Sequence, residues 1–219
     1  MKTTQCLAVT LPTGDLAEGR AVVCVGVLDS RLLGAVRAKA HLLRKGVRTY
    51  AGPTPSTLPF GASDSESPEI LLRGQMATAT AYWKRDPTIR GVIAIYPPTD
   101  FRRTWEVAMQ PGNIDHRLNL EWFLGGNPEN ASSAYDSASG APLVNADAPP
   151  TLILQGELDV NVFHEQSALL AARLSEAGVP HALVSLPWAA HAFDLVGFNT
   201  PGGQITTYSV TWFLAAVTK

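Results

Sequence analysis

Residues 151–194 read TLILQGELDVNVFHEQSALLAARLSEAGVPHALVSLPWAAHAFD, and this stretch decides the fold. Residues 151–154 are an apolar run too short for a helix and are followed closely by Gly156, the pattern of a buried strand. Asp159 therefore falls in the loop just past a strand end. Leu169, Leu170, Arg173, Leu174 and Ala177 then recur at helical spacing, and Gly178 and Pro180 punctuate the end. Gly178 is placed to close that helix in the left-handed conformation. Residues 181–186 alternate towards a second strand, and Pro187 and Trp188 lead into a loop that carries His191. A parallel crossover brings the carboxyl ends of both strands to one edge of a sheet, so Asp159 and His191 can meet although a whole helix separates them in sequence.

Singly, a loop Asp is most often a turn former and a loop His a solvated side chain. In this order, an Asp after one strand and a His after the next form the acid and base arrangement of α/β-hydrolases. Gly156-Glu157-Leu158-Asp159, the helix end Glu176-Ala177-Gly178-Val179-Pro180 and His191-Ala192-Phe193 resemble the C-terminal third of the esterase/lipase branch of that superfamily. The chain is most similar to bacterial carboxylesterases related to acetylesterases and hormone-sensitive lipase. The resemblance implies an α/β-hydrolase fold: a mostly parallel central sheet with helices on both faces, a small cap insertion and, here, a shortened N-terminal part. It also implies a small-molecule ester or acyl ligand and no cofactor or metal.

Working outward, 219 residues suffice for one sizeable α/β domain, and a composition of 46% hydrophobic and 16% charged residues belongs to the globular class. A net charge of −2 without a basic run argues against a nucleic-acid partner. The apolar run near the N-terminus stops at Pro12, too short for an export signal or a membrane span, so the expected location is cytoplasmic. Cys6 and Cys24 read as small buried fillers rather than a disulfide. The chain is expected to be a single domain over 1–219, and its oligomeric state is left open.

Residues 21–27, AVVCVGV, are a β-branched apolar run expected as a central strand, with a helix at 32–43 and a short strand at 47–51. Where the resembled family has a His-Gly-Gly loop that supplies half of the oxyanion hole, this chain has Val25-Gly26-Val27-Leu28-Asp29, so no oxyanion donor is assigned. Residues 52–67 are rich in Gly, Pro, Ser and Thr and read as a loop. Residues 69–72 are expected as the nucleophile strand, 75–84 as the helix after it and 91–96 as the next strand. Residues 101–147 look like the cap insertion, with a short helix at 118–124 closed by Gly125-Gly126. Trp105, Trp122, Phe123 and Tyr135 either line an acyl pocket or simply pack the cap. Residues 198–204 read as a loop and 208–217 as a closing helix.

The nucleophile elbow is where the resemblance fails. The family's Gly-x-Ser-x-Gly turn belongs at the strand-to-helix junction, which here reads Arg73-Gly74-Gln75-Met76-Ala77-Thr78. Without a gap, Met76 occupies the serine position and Thr78 that of the last glycine. With a deletion, Gly74 is the last glycine and the residues around the serine are absent. Either way no serine is present. Ser63 precedes the strand and lies at the wrong edge of the sheet, and Thr78 and Thr80 fall on the helix. Losing the nucleophile of a triad costs about 10⁶ in turnover. The expectation is therefore a serine-hydrolase family member with Asp159 and His191 retained as acid and base and with Gly74, Gln75 and Ala77 marking an altered or deleted elbow. The alternatives are a non-catalytic module that binds an acyl or ester ligand, or a truncated gene product.

Overall fold

The computed structural model describes residues 7–11, 20–25, 48–50, 82, 89–108, 116–194 and 199–217. Its strands are β1 (Leu7–Leu11), β2 (Arg20–Val25), β3 (Arg48–Tyr50), β4 (Ile89–Ile95), β5 (Thr151–Gly156) and β6 (His181–Leu186). They form one sheet in the order β3-β1-β2-β4-β5-β6. The pairs β2–β4, β4–β5 and β5–β6 are parallel, and β1 is antiparallel to both β2 and β3. The strands expected at 21–27, 47–51, 91–96, 151–154 and 182–186 all belong to this mostly parallel sheet. The strand expected at 69–72, the helix expected at 32–43 and the loop expected at 52–67 lie outside the described residues, as does the helix expected at 75–84 apart from Tyr82. β1 is an addition to the expectation: the apolar run before Pro12, judged only by its shortness as a membrane or export segment, is a strand.

Every residue of β5 is buried, which accounts for its unbroken apolar run. Successive side chains alternate between the faces. Leu152 and Leu154 pack with Val210 and Phe213 of the C-terminal helix, whereas Ile153 packs with Leu170 and Leu174 of the helix between β5 and β6. Helices thus cover both faces. Full burial of each such side chain contributes about 1.5–3 kcal/mol.

The helix between β5 and β6 spans His164–Glu176 (α4 in chain order, after three helices given below). It ends as its sequence requires: Gly178 has φ +69°, its N–H donates to Ser175 O at 3.0 Å, and Val179 N–H donates to Leu174 O at 2.9 Å. That is a Schellman closure with Val179 and Leu174 in the same apolar cluster. The C-terminal helix α5 (Pro201–Val217) begins seven residues before the expected 208 and takes in part of what was read as the 198–204 loop. The Pro-Gly-Gly run caused the misreading. Pro201 occupies the first helical turn, where its missing N–H does no harm, and Thr200 Oγ1 accepts from Gly203 N at 3.2 Å. Gly202 is small because Phe193 is close: a β-carbon there would stand 2.7 Å from Phe193 O.

Residues 101–147 contain α1 (Phe101–Val107), α2 (His116–Leu124) and α3 (Ser132–Ala138). The expected 118–124 helix is α2, begun two residues earlier and followed by Gly125 and Gly126 at φ +82° and +155°. The three helices share an apolar cluster of Phe101, Leu120, Leu124, Ala134, Tyr135 and Ala138, with Trp105 and Phe123 packed against it. Phe101 meets Phe123 and Trp105 meets Tyr135 edge to face, both at 6.2 Å between ring centroids. For Trp105, Phe123 and Tyr135 the packing reading is therefore the one observed, while Trp122 is 69% exposed.

Candidate active site

Three successive strands of the sheet, β4, β5 and β6, end at one edge, and each delivers a side chain there. β4 delivers Tyr96, β5 delivers Asp159 and β6 delivers His191. Gly156 makes the convergence possible: a β-carbon on it would lie 2.3 Å from Ala189 O and 3.0 Å from Ala190 O. The backbone that carries His191 crosses directly over the end of β5. Leu158 N–H donates to Ala189 O at 3.0 Å and Glu157 N–H to Leu186 O at 3.0 Å, which fastens the two loops together.

Asp159 and His191, 32 positions apart, are in direct contact: Nδ1 of His191 lies 2.7 Å from Oδ2 of Asp159. The Asp159 side chain is fully buried and that of His191 is 15% exposed. The carboxylate's other oxygen accepts Asn161 N–H and Val162 N–H, both at 2.9 Å, so Asp159 also shapes its own loop. A carboxylate in this position sets the imidazole as the Nδ1–H tautomer and leaves Nε2 as an acceptor, the arrangement a general base needs. No hydroxyl or thiol of the described residues hydrogen-bonds to His191. The elbow residues Gly74, Gln75, Met76 and Ala77 lie outside the described residues, as do Ser63, Thr78 and Thr80.

Several supporting residues escaped the sequence reading. Gln155 is fully buried in β5 and donates from Nε2 to Asp159 Oδ2 at 3.3 Å, to Gly156 O at 3.1 Å and to Val162 O at 3.0 Å. Its Oε1 accepts from Ser167 Oγ at 2.9 Å. The available signal was a glutamine in an otherwise apolar central strand, since a buried amide must be hydrogen-bonded. Gln166 ties the loop after β4 to α4: its Oε1 accepts Thr99 N–H and Asp100 N–H, both at 2.8 Å. Tyr96 packs its ring against the His191 imidazole at 4.6 Å between centroids, with a backbone φ of +39°. Burial raises its hydroxyl well above the ordinary tyrosine range, and the nearby charges of Asp194 and Asp159 add to the effect.

A second serine–histidine contact stands apart. Ser185 Oγ donates to Glu157 Oε1 at 2.6 Å and lies 3.1 Å from His164 Nε2. A serine has one proton to give. With that proton directed at Glu157, His164 serves as a donor to Ser185 and not as a base for it. Among the described residues no group of three or more His, Cys, Asp or Glu side chains could hold a metal ion, and no helix is long and apolar enough to cross a membrane.

A mostly parallel sheet covered by helices on both faces, with an Asp and a His paired at the ends of successive strands, is the arrangement of an α/β-hydrolase. The model of the BD-FAE family matches residues 62–174, just over half of the chain, and the protein belongs to that family. Over 134 residues it is 31% identical to the probable carboxylic ester hydrolase LipM of Mycobacterium tuberculosis, covering 60% of this chain and 30% of that protein. The chain thus spans about a third of that relative's length. Among solved structures it is similar to carboxyl esterase 2 of Tuber melanosporum (TM-score 0.51, 19% identity, 68% of this chain and 51% of that one). It is likewise similar to an acetyl ester-xyloside bifunctional hydrolase of Caldicellulosiruptor lactoaceticus (TM-score 0.50, 20% identity, 65% of this chain and 53% of that one).

Proposed function

We propose that this chain carries the acid and base of a carboxylic-ester hydrolase, Asp159 and His191, without a serine nucleophile of its own. The observation that carries the reading is the 2.7 Å contact of Nδ1 with a buried carboxylate, set beside an elbow sequence in which no serine occurs. In such a site Nε2 removes the proton of the attacking hydroxyl and returns it to the leaving alcohol, while the carboxylate stabilises the imidazolium between the two steps. With Met76 at the serine position, or with that position deleted, water is the remaining nucleophile. A median turnover near 10 per second lowered by six decades leaves about 10⁻⁵ per second. In this reading residues 101–147 cap a single 1–219 domain, and the ligand is a small ester or its acyl product.

The test is hydrolysis of a short-chain activated ester together with labelling by a fluorophosphonate probe, which requires an activated serine. No labelling, and a rate near background, are expected. Met76→Ser is expected to stay inert, because Thr78 fills the place of a glycine and an oxyanion donor is missing. Ester hydrolysis gained by Met76→Ser and abolished by His191→Ala would instead show a site that lacks the nucleophile alone. Turnover at ordinary enzyme rates by the unaltered protein would overturn the proposal and point first to Ser63.

A ligand-binding role without catalysis is favoured by a separate observation. The loops that hold Asp159 and His191 expose Leu158, Val160 and Trp188, between 52% and 63% accessible. Exposed apolar side chains on the loops that carry a buried polar pair suit an acyl chain with a polar head. Quenching or shift of Trp188 fluorescence on titration with a short-chain fatty acid, lost in Trp188→Phe, is the expected sign of such binding.

A further inference from the structure

We infer that Tyr96 is a positioning residue for His191, an inference that rests on the acid–base reading of Asp159 and His191. Three observations converge on it. The Tyr96 ring lies 4.6 Å from the imidazole with the planes at 57°, so it walls one side of His191. It also meets the Phe193 ring, edge-on at 81° and 5.8 Å, which holds it against the same turn. The buried carboxylate of Asp194, three residues beyond His191, lies near enough to its hydroxyl to disfavour a phenolate there. One side chain from the end of β4 thus meets the rings of residues 191 and 193.

The backbone at Tyr96 supports the same role. Its φ of +39° lies in the left-handed region, where a residue with a β-carbon is strained, and such strain persists only where the surroundings over-determine it. Tyr96 N–H donates to Leu154 O at 2.7 Å, so the main chain is fixed to β5 at the point where the strain occurs. A glycine would relieve the strain but could supply neither the ring nor the hydroxyl. Asp159 by itself restrains one nitrogen of the imidazole and leaves the ring free to swing about that bond. The Tyr96 ring closes off that swing, and the edge-on Phe193 ring keeps the Tyr96 ring in place, so Nε2 keeps one direction.

The experiment is nitrogen-15 NMR of the full chain labelled at histidine, which reads the His191 tautomer and the solvent exchange of its Nδ1 proton. The Nδ1–H tautomer with a protected proton is expected for the unaltered protein. In Tyr96→Leu the exchange of that proton should rise about tenfold or more while backbone amides of β5 and β6 keep their protection. Phe193→Leu should give a smaller rise, about threefold, and carries the test if Tyr96→Leu does not fold, while Tyr96→Phe keeps the ring and should stay near the parent. Unchanged exchange in all folded variants overturns the inference. So does a rise shared equally by the β5 and β6 amides, which would mean general loosening. Asp159→Asn separates the two readings. If it leaves tautomer and exchange unaltered, the acid–base pair itself is wrong; if it alters both while Tyr96→Leu and Phe193→Leu do not, only the positioning role fails.

Discussion

Gly156→Ala drives a β-carbon to 2.3 Å from Ala189 O, where ordinary contact begins near 3.4 Å, so the carbonyl must retreat by roughly 1 Å. That oxygen accepts Leu158 N–H at 3.0 Å, and the same retreat stretches this bond to about 4 Å, beyond a hydrogen bond. Overpacking costs about 1–3 kcal/mol and the lost bond about 1 kcal/mol. Restricting the unfolded chain returns about 0.4–1 kcal/mol. The net destabilisation is about 2–3 kcal/mol, which at this chain length lowers Tm by roughly 4–12 °C. His191 follows Ala189 by two residues, so the displacement should also pull Nδ1 from Asp159. Thermal unfolding followed by circular dichroism reads the first effect, and the low-field Nδ1 proton resonance reads the second. A Gly156→Ala protein that melts within about 1 °C of the parent and keeps that resonance would refute the close crossing as the feature that assembles the pair.

Gln155→Leu removes the amide that serves Asp159, Val162 O and Ser167 together. It should destabilise by about 1–3 kcal/mol in urea titration and also accelerate exchange of the His191 Nδ1 proton. Gln166→Leu strands the amides of Thr99 and Asp100, and a loss of similar size is expected without any change at His191. Burial raises the phenols of Tyr82, Tyr96 and Tyr135 above the ordinary value of 10.0, Tyr135 to about 12. The folded protein then holds protons that the unfolded chain has lost. The contribution to stability is complete below pH 10 and falls as pH rises through the folded values, so urea midpoints should be level to about pH 9.5 and decline above 10. Tyr135 OH is buried with no hydrogen-bond partner among the described residues. Tyr135→Phe should therefore hold or raise stability at pH 8, by up to about 1 kcal/mol, and soften the alkaline decline.

The unit from β5 to His191 was legible because each step carries a short-range signal. A six-residue buried run, a helix closed by Gly178 and Val179, and an alternating strand are all decided within their own windows. The contact of Asp159 with His191 then follows from the handedness of a parallel crossover. What local pattern did not carry is whatever depends on a distant partner. Gly202-Gly203 looks like a breaker until Phe193 is seen against it, and only then is the early start of α5 explained. Tyr96 looks like the end of an apolar run, since nothing in residues 91–96 reports an imidazole nearly a hundred positions away. Gln155 did carry a signal, a buried amide in a central strand, but its partners Asp159 and Ser167 are set by the turn and helix that follow. Leu7–Leu11 is legible as a strand only through its pairing with β2 and β3.

Among the described residues β6 is the last strand in the sheet order, so one row of its peptide groups faces away from β5 and meets no other described strand. It is six residues long and, apart from Leu186, only half-buried. An extended segment of another molecule could add there as a further strand, which is the route by which open sheet edges drive self-association. Its sequence, His181-Ala182-Leu183-Val184-Ser185-Leu186, contains no fixed charge and no proline to discourage such pairing. Light scattering on warming should accordingly be lowered by Ser185→Lys on that strand more than by a lysine placed on α5 at equal stability.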